Sequence, residues 1–199
     1  MLSVRRMKAS IGINWDDAIV CTIADASFGQ ERQLVGEEFQ DGRSQQGSVI
    51  CLGPPDMVNA EEVTIHPICW ISTFIPRVCN STLMAETFSL GDAVDRGARI
   101  RAAIVDMKGK LDVRNWESSA SSHMGHLWLT DCDSLYEHLA STKSNTVQNK
   151  RLGIDLAALR LSLWREHGKL CPDATLLEDR LYEPTDIICW IDTARMVAY

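Results

Sequence analysis

The sequence I-V-C-T-I-A-D, residues 19–25, decides the fold that we predict for this chain. Its first six residues are uncharged and rich in β-branched types, and polar segments flank them. This pattern predicts a strand that is buried on both faces in the middle of a sheet. Alternation along the strand places Cys21, Ile23 and Asp25 on one side. Because burying a lone carboxylate is costly, Asp25 must meet water, a cation or a hydrogen-bond donor.

The composition is typical of a soluble globular protein of 199 residues, with 45% hydrophobic and 24% charged residues. We expect residues 15–199 to form one domain and residues 1–14 to be an N-terminal tail or the remnant of a preceding segment. No apolar run approaches the ~18 residues that cross a bilayer, and the basic N-terminus leads into no signal-peptide core. We therefore expect no membrane contact and an intracellular location, cytoplasmic or nuclear, without secretion.

The cysteines and the net charge indicate the compartment and limit how the chain could bind nucleic acid. The seven cysteines form no C-x-x-C pair, which is typical of a reducing compartment. The net charge of −7 argues against a protein that binds nucleic acid by charge alone. Any nucleic-acid role would therefore depend on a local basic patch or on metal ions.

Hydrophobic periodicity predicts the element order β-β-β-α-β-α-α-β, a mixed α/β sheet with helices packed on it. We expect the first strand to form an antiparallel meander with the next two strands. A long exposed connection from Gly29 to Gly42 is expected after the first strand, and a polar connection over 108–125 is expected after the first helix. The other predicted strands are Ser48–Leu52, Ile65–Thr73, Leu127–Asp131 and Ile187–Ile191. The predicted helices run from Ser81 or Thr82 to about Met107, from Asp133 to Ala140 and from Lys150 to His167.

Three acidic residues lie at comparable positions in the predicted strands and helices. Asp25 and Asp131 each end a predicted strand, and Glu86 lies at the margin of the buried face of the first helix. Since ligands bind at the carboxyl ends of parallel strands, these carboxylates could meet at one end of the sheet. Clustered carboxylates favour Mg²⁺ or Mn²⁺, and two such ions suit phosphodiester hydrolysis. The alternative is that both aspartates are ordinary turn residues and Glu86 is a solvated helix acid.

Seven sequence blocks suggest a family. In chain order they are D-A-S-F-G (25–29), R-S-Q-Q-G (43–47), W-I-S (70–72), R-V-C-N-S-T-L-M-A-E (77–86), L-T-D-C-D-S-L-Y (129–136), K-R-L-G-I-D-L-A-A-L-R (150–160) and W-I-D-T-A-R-M-V-A (190–198). Together they resemble the ribonuclease H domain at the C-terminal end of copia-type retrotransposon polyproteins, over roughly residues 15–199.

This resemblance implies a fold, an activity and a metal site. The fold is a five-stranded mixed sheet, with a three-strand antiparallel meander and two parallel strands, flanked by helices. The activity is metal-dependent hydrolysis of the RNA strand of an RNA–DNA hybrid, and the implied partners are that hybrid and a reverse transcriptase domain of the same polyprotein. Asp25, Glu86 and Asp131 correspond to the first three metal-binding acids, with two ions of Mg²⁺ or Mn²⁺ in an active site. Asp133 is a less favoured third acid, because the D-x-x-S spacing to Ser134 starts at Asp131.

The sequence departs from the family pattern at its end. The family continues with leucine-alanine-aspartate, where the aspartate is the fourth metal ligand and opens the final helix, whereas this sequence reads Val197-Ala198-Tyr199. We therefore expect a C-terminally truncated domain with the final helix missing, apolar surface exposed where that helix would pack, and a rate lowered by about a thousandfold. Asp155 and Asp192 are weaker substitutes with structural roles favoured. The alternative function is an inactive remnant that binds nucleic acid or a protein.

Basic and aromatic residues are weaker indicators. The basic side chains that could contact phosphates are Arg96, Arg99, Arg101, Lys143, Lys150 and Arg151, although a solvated face is favoured for most of them. We expect the tryptophans at positions 70, 128, 164 and 190 to belong to the core rather than to stack on bases.

Overall fold

The structure is a computed structural model that describes residues 7–9, 14–35, 38–58, 63–141, 147–164 and 186–193. Its strands are β1 (Met7–Ala9), β2 (Ile19–Val35), β3 (Glu38–Gly53), β4 (Val63–Phe74), β5 (His126–Thr130) and β6 (Asp186–Trp190). Its α-helices are α1 (Thr82–Met107), α2 (Trp116–His123), α3 (Asp133–Ala140) and α4 (Lys150–Trp164), and short 3₁₀ turns cover Pro55–Val58 and Val113–Asn115. None of the helices in these ranges is both long and apolar enough to cross a membrane.

All six strands belong to one mixed sheet in the order β1-β4-β3-β2-β5-β6. Strands β2, β3 and β4 are antiparallel neighbours, while β5 pairs in parallel with β2 and β6 in parallel with β5. This arrangement confirms the expected three-strand meander followed by two parallel strands. The sixth strand, β1, pairs in parallel with the β4 edge and lies in the segment that we expected to be a tail.

Two expected connections are wrong. The described residues of this segment from Gly29 to Gly42, 29–35 and 38–42, belong instead to β2 and β3, which pair as far as Val35 opposite Glu38, with two register shifts. Ladder hydrogen bonds come from the backbone, so a polar sequence can continue a strand. Within 108–125, α2 forms from a serine-rich sequence and buries Ala120 and Ser121, and the Ser121 hydroxyl donates to the Glu117 carbonyl. Such local bonds make serine helices hard to recognise from propensity.

The first strand is the centre of the core, as its sequence predicts. Residues 20–24 of β2 are at most 1% exposed, so the expectation of a strand buried on both faces is confirmed. Helix α1 packs on one face, where Ala24 and Trp128 join the cluster of α1, α3 and α4 side chains. On the other face Cys21 and Ile23 pack in a second buried cluster with side chains of the neighbouring strands.

The expected core position of Trp70 is wrong, because its side chain is 75% exposed on β4. In the last strand Ile188 and Cys189 are buried and Ile187 is exposed. The expectation of exposed apolar surface where a final helix would pack stays a prediction, because residues 194–199 lie outside the described residues. Trp128 is buried as predicted, and the Trp164 side chain lies outside what the structure describes.

A buried polar network joins α1 to the sheet. The Thr22 hydroxyl and His126 Nε2 are 2.7 Å apart, and Gly97 lies directly against both side chains. Nearby, Arg101 forms a buried ion pair with Asp186 and donates to the Met124 carbonyl. Burial, and next the Arg101 charge, hold the pKa of His126 well below its ordinary value, so the imidazole stays neutral. Arg101 is therefore a structural cation, and the phosphate role considered for it is wrong.

Replacing Gly97 with alanine tests this close approach. A Cβ at this position would lie 2.5 Å from His126 Nε2, so we expect Gly97→Ala to lower the free energy of unfolding by about 1 to 3 kcal/mol. Gly91→Ala is the matched control, because Gly91 lies in the same helix and a Cβ added there would have no contact closer than 4.0 Å. It should stabilise the protein by about 0.5 to 1 kcal/mol through helix propensity. Chemical denaturation measures both variants, and equal effects would contradict the close packing.

Candidate metal centre

The structure brings three carboxylates together at the end of the sheet. Asp25 lies on β2, Glu86 in the first turns of α1 and Asp131 directly after β5. One carboxylate oxygen from each residue lies within 4.8 Å of the other two. Glu86 is buried, at 5% exposure, while Asp25 and Asp131 are half-buried. The cluster therefore lies at the edge of the core and is open on one side.

The sheet topology explains why these residues meet. Ile23 of β2 is paired with Leu129 of the parallel strand β5, and in each strand the acid follows two residues later. From β2 the sheet continues to β3 on one side and to β5 on the other. This is the switch point of strand order at which open α/β sheets bind ligands. Helix α1 begins beside it, with the Ser81 side chain accepting the Met84 amide at its N-cap.

Hydrogen bonds hold two of the acids in place. The Ala26 amide donates to Asp25 Oδ1 at 2.8 Å, and the Ser89 hydroxyl of α1 donates to the Asp25 carbonyl at 2.7 Å. The second bond ties the helix that carries Glu86 to the strand that carries Asp25.

Asp131 is held by residues at the end of β6 and just after it. Thr193 Oγ1 donates to Asp131 Oδ2 at 2.8 Å, and Trp190 Nε1 donates to the Asp131 carbonyl at 3.0 Å. Sequence reasoning assigned no role here to Ser89, Trp190 or Thr193. The available signal was the W-I-D-T block at 190–193, which contains both donors of Asp131.

The electrostatics of the cluster are dominated by Glu86. Burial, and then the charges of Asp25 and Asp131, raise the pKa of Glu86 from 4.5 to about 8, and the Ala26 amide opposes this only in part. Burial, with smaller contributions from Glu86 and Asp131, also raises the pKa of the Cys132 thiol. Close carboxylates, one of them with a raised pKa, are the donor set that a hard divalent cation stabilises. The residues present therefore fit Mg²⁺ or Mn²⁺.

Other acids that the sequence offered lie elsewhere. Asp133 is exposed in the first turn of α3 and does not join the cluster. Asp155 on α4 forms an ion pair with Arg77 at 3.2 Å, which supports its structural interpretation. Asp192 is exposed after β6 and is likewise outside the cluster. The position of the fourth family acid, at 197–199, lies outside the described residues.

The two candidate phosphate contacts on α1 lie away from the carboxylates. Arg96 and Arg99 are exposed on α1, about 15 Å and 20 Å beyond Glu86 along the helix axis. Arg96 is paired with Asp92 at 3.0 Å. Lys150 and Arg151 are exposed in the first turn of α4, and Lys143 lies outside the described residues. Their contact with nucleic acid stays a prediction.

Comparison with known proteins gives a distant structural likeness. No family model and no curated protein matches the chain. Among solved structures, LC11-RNase H1 in complex with an RNA/DNA hybrid is 11% identical, with a TM-score of 0.43 over 89% of this chain and 88% of that one. The N-terminal ribonuclease H domain of Rv2228c from Mycobacterium tuberculosis, fused to maltose binding protein, is 13% identical, with a TM-score of 0.44 over 90% and 86%. At such low identities and TM-scores, these structures determine neither the family nor the function of this chain.

Glu86→Gln tests the electrostatics of the cluster. Because folding raises the pKa of Glu86, its contribution to stability is complete below pH 4.5 and is lost as the pH rises to about 8. His126 is neutral in the folded protein and titrates only in the unfolded chain, so it affects the wild type and a Glu86 variant alike. Between pH 6.5 and 8, titration of Glu86 should cost the metal-free protein about 2 kcal/mol of unfolding free energy. Glu86→Gln should remove this loss, whereas Glu137→Gln, exposed on α3, should keep it. Urea denaturation at several pH values measures it, and parallel curves for wild type and Glu86→Gln would contradict the assignment.

Proposed function

We propose that this chain is a ribonuclease H-like domain that hydrolyses the RNA strand of RNA–DNA hybrids with divalent cations bound at Asp25, Glu86 and Asp131. The observation that carries the proposal is the convergence of these three carboxylates within 4.8 Å at the switch point of the sheet. Three oxygen donors from separate elements are characteristic of a site for hard cations, and phosphodiester hydrolysis is the chemistry that such a site serves.

The chain's own residues have distinct roles in this proposal. Bound Mg²⁺ or Mn²⁺ would activate a water and stabilise charge on the phosphodiester oxygens. Asp25 and Asp131 are the fixed ligands, because hydrogen bonds to their carboxylates and carbonyls restrain them. Glu86, with its pKa at about 8, holds a proton at neutral pH in the absence of a cation and gives up that proton when a cation binds. Metal affinity should therefore rise with pH.

The choice of an RNA–DNA hybrid as substrate is supported by the seven sequence blocks that resemble copia-type ribonuclease H domains. The same blocks support a retrotransposon origin, and we extend the proposal to a reverse transcriptase domain of the same polyprotein as the partner. Exposed Arg96, Arg99, Lys150 and Arg151 are proposed contacts of the hybrid backbone outside the metal centre.

Cleavage of a labelled RNA–DNA hybrid tests the proposed function. We expect cleavage of the RNA strand in Mg²⁺ or Mn²⁺, none in EDTA, and a rate lowered by about a hundredfold or more in Asp131→Asn. Asp133→Asn is the matched control, because it changes a neighbouring aspartate that lies outside the cluster, and it should cleave as the wild type does.

Two results would contradict this function. Cleavage that persists in EDTA or in Asp131→Asn would assign the activity to a contaminant or to another site. Tight hybrid binding without cleavage, in either metal, would instead favour the inactive binding module.

A further inference from the structure

One face of the sheet continues outward from the metal centre, and we name it the open face. Asp25 on β2 is paired with Gly47 on β3, which is paired with Ser72 on β4. Residues directly opposite in antiparallel strands point to the same side, so these three positions form one row across the sheet. The open face consists of the two row positions on β3 and β4 and of the residues beside them that point to the same side of the sheet. Its residues are Arg43, Gln45, Gly47, Trp70, Ser72 and Phe74.

Large aromatic side chains stand on the open face without cover. Trp70 is 75% exposed and Phe74 is 42% exposed, and both share the side of Ser72 because they lie two residues from it on β4. The other side of β3 is buried beneath α1, where Gln46 Nε2 donates to Asp92 Oδ2 at 3.1 Å. The exposure is therefore one-sided and continuous with the carboxylate cluster.

Polar groups of the open face complement nucleic acid. The Arg43 guanidinium lies 6.0 Å from the centre of the Phe74 ring, so a cation is held beside an aromatic surface. Gln45 Nε2 donates to Ser72 Oγ at 2.6 Å, which leaves an amide and a hydroxyl in the middle of the face. Gly47 has no side chain, so nothing projects from the sheet between Asp25 and Ser72. Exposed aromatics, a cation and small polar groups on a flat sheet are the features that bind sugars, bases and phosphates.

We propose that the nucleic-acid substrate extends from the carboxylate cluster across the open face, with Trp70 against a base or sugar and Arg43 at a phosphate. This inference rests on the function proposed above and adds a substrate-positioning surface to it. Two strand spacings separate Asp25 from Ser72, about 10 Å, which corresponds to about three stacked base pairs. Trp70 is therefore assigned a contact a few nucleotides from the bond that is cleaved.

Binding of a fluorescent RNA–DNA hybrid, measured by anisotropy, tests this surface. All variants carry Asp131→Asn, so that cleavage does not interfere. We expect Trp70→Ala to weaken binding roughly tenfold and Trp70→Phe to restore most of it. Arg43→Gln should reduce the slope of log affinity against log salt by about 1. Trp116→Ala is the matched control, since this half-exposed tryptophan begins α2 on the helical side of the sheet, and it should leave the affinity unchanged.

The outcomes separate this inference from the proposed function. If the wild-type chain cleaves the hybrid while Trp70→Ala and Arg43→Gln bind as the control does, the open face is not a substrate surface and the proposed function stands. If the chain neither binds nor cleaves the hybrid, both proposals fall. Sedimentation of the wild type and Trp70→Ala tests whether a second copy of the chain occupies the open face instead. Self-association that is lost in the variant, without a change in hybrid affinity, would make the face an interface between two copies and overturn the inference.

Discussion

Mutual repulsion among three carboxylates is the constraint on which the rest of the structure depends. Asp25, Glu86 and Asp131 lie within 4.8 Å of one another, and burial adds a desolvation cost for Glu86. Left alone, such a cluster would separate, so the surrounding elements must hold it together. The fold does this with backbone-anchored bonds to Asp25 and Asp131 and with a helix that is locked against the central strand.

The locking of α1 links the core to the chemistry. Gly97 lets the helix approach the Thr22–His126 pair, and Ser89 bonds the same helix to the backbone of Asp25. These two contacts lie on either side of the middle of α1 and fix its position over β2. A shift of the helix would move Glu86 relative to both aspartates, so packing at a distance from the metal centre determines its geometry.

The sequence predicted those features that follow from periodicity. A run of uncharged, largely β-branched residues at 19–24 predicts the central position of β2, and the strand and turn pattern after it predicts the antiparallel meander. The two parallel strands were expected from the family resemblance. The same reasoning selected the three acids that the structure brings together. It failed where polar sequence forms regular structure, in the β2–β3 hairpin and in α2, because backbone bonding needs no apolar pattern. It also failed for Trp70 and Arg101, whose burial depends on which elements cover them.

The hydrogen bond from Thr193 to Asp131 affects when the metal centre forms during folding. The Asp131 carboxylate accepts this bond from a residue 62 positions later in the sequence. Asp25 lies still further from Thr193, so the centre spans nearly the whole chain. A chain emerging from the ribosome can therefore form the meander and α1 early while its third acid is still unrestrained. Assembly of the centre is a late, non-local event in folding, and a partly synthesised chain would hold no completed site.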